Sequence, residues 1–226
     1  MTVALSARLT RAPQGFECGH DQVATPTWYN PGMTNGPGEL VLVRHGETAW
    51  SRAGQHTSFT DVELTKRGTG EAALAGTKLE MRNRPLVAVF TSPMRRARET
   101  CRIAQLADDA VVTDDLCEWN YGEYEGLTTP QIRETNPGWT IFTGDPPGGE
   151  TSVQVGARAD RIIERAVEAA VAGDVALFSH GHFLRVVGAR WIGLDARAGA
   201  LLRLDTATVC VLGYEHERRV VRVWNA

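Results

Sequence analysis

An α/β fold, a three-layer sandwich with a mostly parallel central sheet flanked by helices, is predicted by three observations. Short apolar runs alternate along the chain with segments of helical period. Two of those runs, Leu40–Val43 and Val175–Phe178, pass straight into a histidine followed by glycine, which places polar chemistry at the C-terminal ends of buried strands. A length of 226 residues suits one domain with a substantial core.

Residues 1–38 differ from the rest. Pro13, Gly15, Gly19, Pro26, Pro31, Gly32, Gly36, Pro37 and Gly38 interrupt any period, so this stretch is expected to be an irregular arm before a domain spanning 39–226. Phe16, Trp28 and Tyr29 are unusual in a purely disordered tail and offer packing surface against the domain or a second copy, as in a homodimer. Met33 lies just before the first strand, so translation from either Met1 or Met33 would include the domain.

Strands are expected at 40–43, 86–90, 110–113, 175–178, 207–213 and 219–223. Thr65 is placed to cap a helix running to about Met81, and 93–106, 152–171 and 182–193 supply the others. Ser92 is read as N-cap and Pro93 as first helical residue of the second of these. Val155, Ala159, Ile162, Ile163, Ala166 and Ala170 form an apolar stripe at helical spacing, which assigns them to core. The last two strands are joined by Glu215-His216-Glu217-Arg218 and read as an antiparallel hairpin, with His216 exposed in its turn.

Chemistry concentrates at four places. In Arg44-His45-Gly46-Glu47-Thr48 a guanidinium fork suited to phosphate precedes an imidazole, and Gly46 admits close backbone approach. In Ser179-His180-Gly181-His182 a second histidine ends a second strand. Arg95 and Arg96 fall in the first turn of a helix, where the dipole disfavours cations unless an anion is near. Arg95 and Arg98 read as a solvated face. In Cys117-Glu118-Trp119-Asn120-Tyr121-Gly122-Glu123-Tyr124-Glu125-Gly126 three carboxylates sit among aromatics, and any of them suits proton donation.

These residues together resemble the histidine phosphatase superfamily, of phosphoglycerate-mutase-like fold, over roughly residues 39–225. By that resemblance His45 is the nucleophile, Glu118 the proton donor, and Arg44, Arg96 and His180 surround the phosphoryl group, with no metal and no cofactor. The stretch from Arg44 to Gly68 is similar, without a gap, to cofactor-dependent phosphoglycerate mutases. Mutases carry asparagine where this chain has Ser51, glycine where it has Ser58, and a small polar residue where it has His182. Thr57 is retained; Thr57, Ser51, Ser58, Gly181 and His182 are the substrate-binding candidates, His182 alternatively lining the pocket mouth. The stretch Leu127 to Gly149 is compact, with Arg133 its only basic residue where mutases carry a longer basic insertion, and the segment Trp119 to Thr151 resembles actinobacterial acid phosphatases and sugar bisphosphatases. The resemblance therefore implies a metal-independent phosphomonoesterase acting on a small phosphorylated metabolite through a phosphohistidine; the alternative is a phosphoglycerate mutase, an isomerase.

Composition bounds the partners. A net charge of −3 gives no basic field for nucleic acid, and no stretch is long enough to span a membrane. Cys18, Cys101, Cys117 and Cys210 lack CxxC spacing and read as reduced thiols of a cytoplasmic protein, and no tight acidic or cysteine cluster forms a metal cage.

Overall fold

The computed structural model describes residues 38–82 and 84–226. The expected arm, its aromatic residues and Cys18 lie outside the described residues.

Six strands form one sheet: β1 (Leu40–Arg44), β2 (Leu86–Thr91), β3 (Val111–Val112), β4 (Asp174–Ser179), β5 (Val209–Glu215) and β6 (Arg218–Val223), in the order β3-β2-β4-β1-β5-β6. β3, β2, β4 and β1 pair in parallel; β5 is antiparallel to both β1 and β6. Residues Leu40 to Val43 are wholly buried, which is why the run is continuously apolar rather than alternating. Alternation still sorts its side chains. Val41 and Val43 pack with Ala75, Leu79 and Cys101, on one face. Leu40 and Leu42 pack with Val155, Ala159, Ile162, Phe183 and Leu184, on the other. The helices α2 (Lys66–Glu80) and α3 (Arg95–Ile103) therefore cover one face, α5 (Ser152–Ala169) and α6 (Gly181–Trp191) the other. The stripe expected on α5 is buried core.

Two short helices have no counterpart in the sequence reading: α1 (Ala49–Ala53) and α4 (Thr129–Thr135). Neither is long enough to establish a period, but each begins at a capping box, Thr48 with Ser51 and Thr128 with Gln131. Thr65 caps α2 as expected, its hydroxyl accepting from Gly68 N. The start of α3 is a correction: its N-cap is Met94, without a side-chain cap, and Ser92 is spent elsewhere. β5 begins at Val209 rather than 207, because Ala207 has left-handed backbone (φ 50°). His216 occupies the exposed hairpin turn, also at positive φ (52°).

Candidate active site

Sheet register assembles the site. In the β1–β4 ladder Arg44 lies opposite Ser179, so the next residues, His45 and His180, emerge side by side at the C-terminal edge. Their rings meet edge to face, with centroids 5.2 Å apart. On the far side of β4, Ser92 N donates to Phe178 O, which brings the β2 end and the start of α3 to the same edge.

His45 is buried, and its Nδ1 lies 2.8 Å from its neighbour's carbonyl, Gly46 O. A carbonyl only accepts, so Nδ1 carries the proton and the Nε2 lone pair is free. Burial, then the charges of Arg96 and Arg44, push the imidazole well below its ordinary value, against the Gly46 hydrogen bond. The backbone is locked behind it. Gly46 N donates to Thr100 Oγ1, which itself donates to Arg96 O. A Cβ on Gly46 would meet Gly68 O at 2.3 Å, so glycine is required where the loop crosses α2.

Three arginines converge here, and none forms an ion pair with a carboxylate among the described residues. Arg44 donates from Nη1 to Leu204 O at 2.6 Å, while its Nε is buried without a partner. Its guanidinium lies over Gly181, where a Cβ would approach Cζ to 3.1 Å, so Gly181 makes room for the cation. Arg96, fully buried, donates to the carbonyls of Thr57, Ser58 and Thr60 and from Nε to His180 Nδ1. That last bond fixes His180 as the Nε2–H tautomer, which donates to Ser92 Oγ at 2.7 Å. Burial and the charges of Arg96 and His45 hold His180 well below its ordinary value. The third, Arg185, is one turn along α6. Its Nε and Nη2 donate to Gly199 O and Ala200 O, and its guanidinium stacks on Phe142 at 4.5 Å.

Of the three competing carboxylates only Glu118 is buried at the site. Oε1 accepts from Trp119 N and Phe183 N, and Oε2 from His182 N. Since His180 gives α6 no side-chain cap, Glu118 does that work from another loop. Its Oε2 keeps a lone pair for the cleft. Glu125 instead holds the 58–60 loop through Ser58 N, Ser58 Oγ and Thr60 N, and Glu123 is exposed.

A cleft of about 260 Å³ opens onto this edge. Arg44, His45, Ser51, Thr57, Glu118, Gly181 and His182 line it as expected from the sequence. Ser58 does not: it is buried and its hydroxyl donates to Glu125. Arg96 and His180 are likewise absent from the lining, standing buried against His45. Arg133 is exposed, donates to Trp139 O and takes no part. Arg95 and Arg98 are exposed.

Several lining residues escaped the sequence reading: Gln55, His56, Tyr121, Thr129, Leu204 and Arg185. Tyr121 OH lies 2.6 Å from His182 Nδ1. Burial, then Glu118, push the phenol well above its ordinary value, so it keeps its proton and donates it. His182, held well below its ordinary value by burial and Arg185, is then neutral with its proton on Nε2. His56 packs against Tyr121, Trp139 and His182. The signal available for Arg185 was its position five residues beyond His180, on the first turns of a helix whose N-terminus faces the site.

A mostly parallel sheet that presents an activated imidazole beside an unpaired guanidinium defines an α/β protein built to hold an anion against a nucleophile. The chain belongs to the histidine phosphatase superfamily, branch 1, whose family model matches residues 40–226. It is a phosphoric monoester hydrolase. The acid phosphatase of Mycobacterium tuberculosis is 45% identical over 184 residues, covering 81% of this chain and 90% of that protein. The sedoheptulose 1,7-bisphosphatase of Saccharomyces cerevisiae is 37% identical over 185 residues, covering 70% and 68%. A solved open reading frame product of Mycobacterium tuberculosis superposes with a TM-score of 0.81 at 44% identity, covering 83% of this chain and 97% of that one. Phosphoglycerate mutases also match, at lower identity.

Proposed function

We propose that the enzyme hydrolyses a small phosphorylated metabolite, of sugar-phosphate type, through a phosphohistidine on His45 and without a metal. The observation that carries this reading is His45 itself, with Nδ1 committed to Gly46 O and Nε2 free beside the unpartnered Nε of Arg44. Nε2 attacks phosphorus as the ester P–O bond breaks. Glu118, in its protonated form, delivers its proton from Oε2 to the leaving oxygen. The resulting carboxylate takes a proton from water, whose oxygen attacks the phosphohistidine; the N–P bond breaks and phosphate leaves. Arg44 contacts the equatorial oxygens, while Arg96 adds positive charge near His45 and holds the neutral His180 ring against it.

Arg185, a further cation in the lining of the cleft, supports a second anionic group on the substrate. The stretch 127–149 holds no cation besides Arg133, but Arg185 enters the cleft from α6. What favours hydrolysis is the likeness to the acid phosphatase and bisphosphatase relatives, which match at higher identity than the mutases. Neutral His182, Gln55 and Thr57 offer hydrogen bonds to substrate hydroxyls. In this reading the protein works in the cytoplasm, as its thiols without CxxC spacing fit, and takes neither nucleic acid nor membrane as partner. Among the described residues no helix is long and apolar enough to cross a membrane.

The test is to incubate the protein with 3-phosphoglycerate and a trace of 2,3-bisphosphoglycerate beside a panel of sugar mono- and bisphosphates, following 2-phosphoglycerate and free phosphate. Phosphate release is expected throughout, and Arg185→Ala should raise KM for bisphosphates at least tenfold more than for an aryl phosphate. Efficient isomerisation with little phosphate would overturn the reading.

A further inference from the structure

Arg158 lies in α5, does not line the cleft, and is buried. All five of its N–H donors are used. Nη1 donates to Asp115 O and Cys117 O, Nη2 to Glu118 O and Glu150 Oε2, and Nε to Glu150 Oε1. Its guanidinium lies 4.2 Å from the centre of the Phe183 ring, and Phe183 N is one of the amides that hold the Glu118 carboxylate. Glu150 grips the same loop from its other side. Its Oε2 accepts from Asn120 N, its carbonyl from Trp119 Nε1, and its own N donates to Asn120 O.

Residues 117–120 are thus clamped between a bidentate ion pair and the start of α6. A loop needing only to be packed would be served by apolar side chains, which avoid the desolvation cost of a buried pair. Directional bonds to the carbonyls of Cys117 and Glu118, the indole of Trp119 and the backbone of Asn120 serve a different end, because Glu118 Oε1 also takes the amide of its own successor, Trp119. Any rotation of the 117–119 backbone swings the carboxylate. We infer that Arg158 and Glu150 are positioning residues that aim Glu118 Oε2 at the reacting oxygen, and that they act on proton transfer rather than on substrate binding. This rests on the reading of Glu118 as acid and base.

The experiment compares Arg158→Met, Arg158→Lys and Glu150→Gln with Glu118→Gln as reference. Each is assayed on p-nitrophenyl phosphate, whose leaving group needs no proton, and on glycerol phosphate, whose leaving group does. Rapid quench separates phosphoenzyme formation from its hydrolysis. Arg158→Met is expected to slow turnover of glycerol phosphate at least tenfold more than phosphoenzyme formation from p-nitrophenyl phosphate, with KM within about twofold, and to accumulate phosphoenzyme. Arg158→Lys should restore part of the loss, and Glu150→Gln, nearly isosteric, should show the same split if Arg158→Met does not fold. Equal loss of phosphoenzyme formation from both substrates, without phosphoenzyme accumulation, in the folded variants would overturn the inference while leaving Glu118 in its role. Absence of the split in Glu118→Gln itself would overturn the reading beneath it.

Discussion

His45 is the residue on which the proposed chemistry turns, since its Nδ1–H···O bond to Gly46 leaves Nε2 as its free nitrogen. His45→Ala should keep the fold and lower kcat on an aryl phosphate by at least about 10³-fold, or about 4 kcal/mol in barrier; circular dichroism and turnover check both halves. The charge that a metal would otherwise bring is supplied by arginines without carboxylate partners. Chelators are therefore expected to leave activity intact and vanadate to inhibit; activity lost in chelator and restored by a divalent ion would contradict this. His56 sets a pH dependence of stability. Burial holds its imidazole down to about 4, against the opposing charge of Glu125. It stays neutral in the fold while the unfolded chain takes up a proton below about 6.5. Its contribution is full above that value and is lost as pH falls from about 6.5 toward 4, by as much as about 3 kcal/mol. Urea titrations at pH 7 and pH 4.5 should show the loss, and His56→Gln should show a smaller one.

At the scale of elements, two glycines of α2 give opposite expectations. A Cβ at Gly68 would fall 2.1 Å from Glu47 O, where the loop after His45 crosses the helix. Gly68→Ala should cost about 2 kcal/mol or more and reduce kcat as the Arg44–Glu47 backbone is displaced. Gly70, two residues on, has nothing within 4 Å of its would-be Cβ. Gly70→Ala should stabilise by about 0.5–1 kcal/mol, because alanine loses less backbone entropy in a helix. Thermal melts of the pair decide between contact and propensity. The elements that were legible in the sequence are those with long periods or unbroken apolar runs: all six strands and the helices on both faces. α1 and α4 were not, because a turn or two leaves no period to read. The start of α3 was misassigned since Ser-Pro satisfies the local rule for a helix start, whereas Ser92 is claimed by His180 from 88 residues away.

For the whole molecule, the candidate groups Arg44, His45 and His180 were legible because each sits at a strand end close to a glycine, and Arg96 because it stands at a helix start, whereas Glu118 was singled out from three carboxylates by the family resemblance alone. Arg185, His56 and Tyr121 carried no such mark; only the fold shows that the first turns of α6 and the loop after α1 share one cleft. Tertiary placement likewise removed Ser58, whose hydroxyl sequence alone left free. The described residues form a core on both faces of the sheet. A chain beginning at Met33 is therefore expected to fold and turn over substrate at near full kcat. Insolubility or inactivity of that chain would make the arm structural.

The place of β1 in the sheet also has a consequence during synthesis. It is one of the two central strands of the six and is paired on both sides, yet its neighbours β4 and β5 begin only at Asp174 and Val209. At roughly 5–20 residues per second, the run Leu40–Val43 leaves the ribosome several seconds or more before either partner exists. Throughout that interval its four apolar side chains and both its backbone edges are unsatisfied, and no partial product can hold the paired imidazoles. Activity is thus acquired in one late step. Its failures will show in the soluble yield of the nascent chain, not in the turnover of molecules that have finished folding.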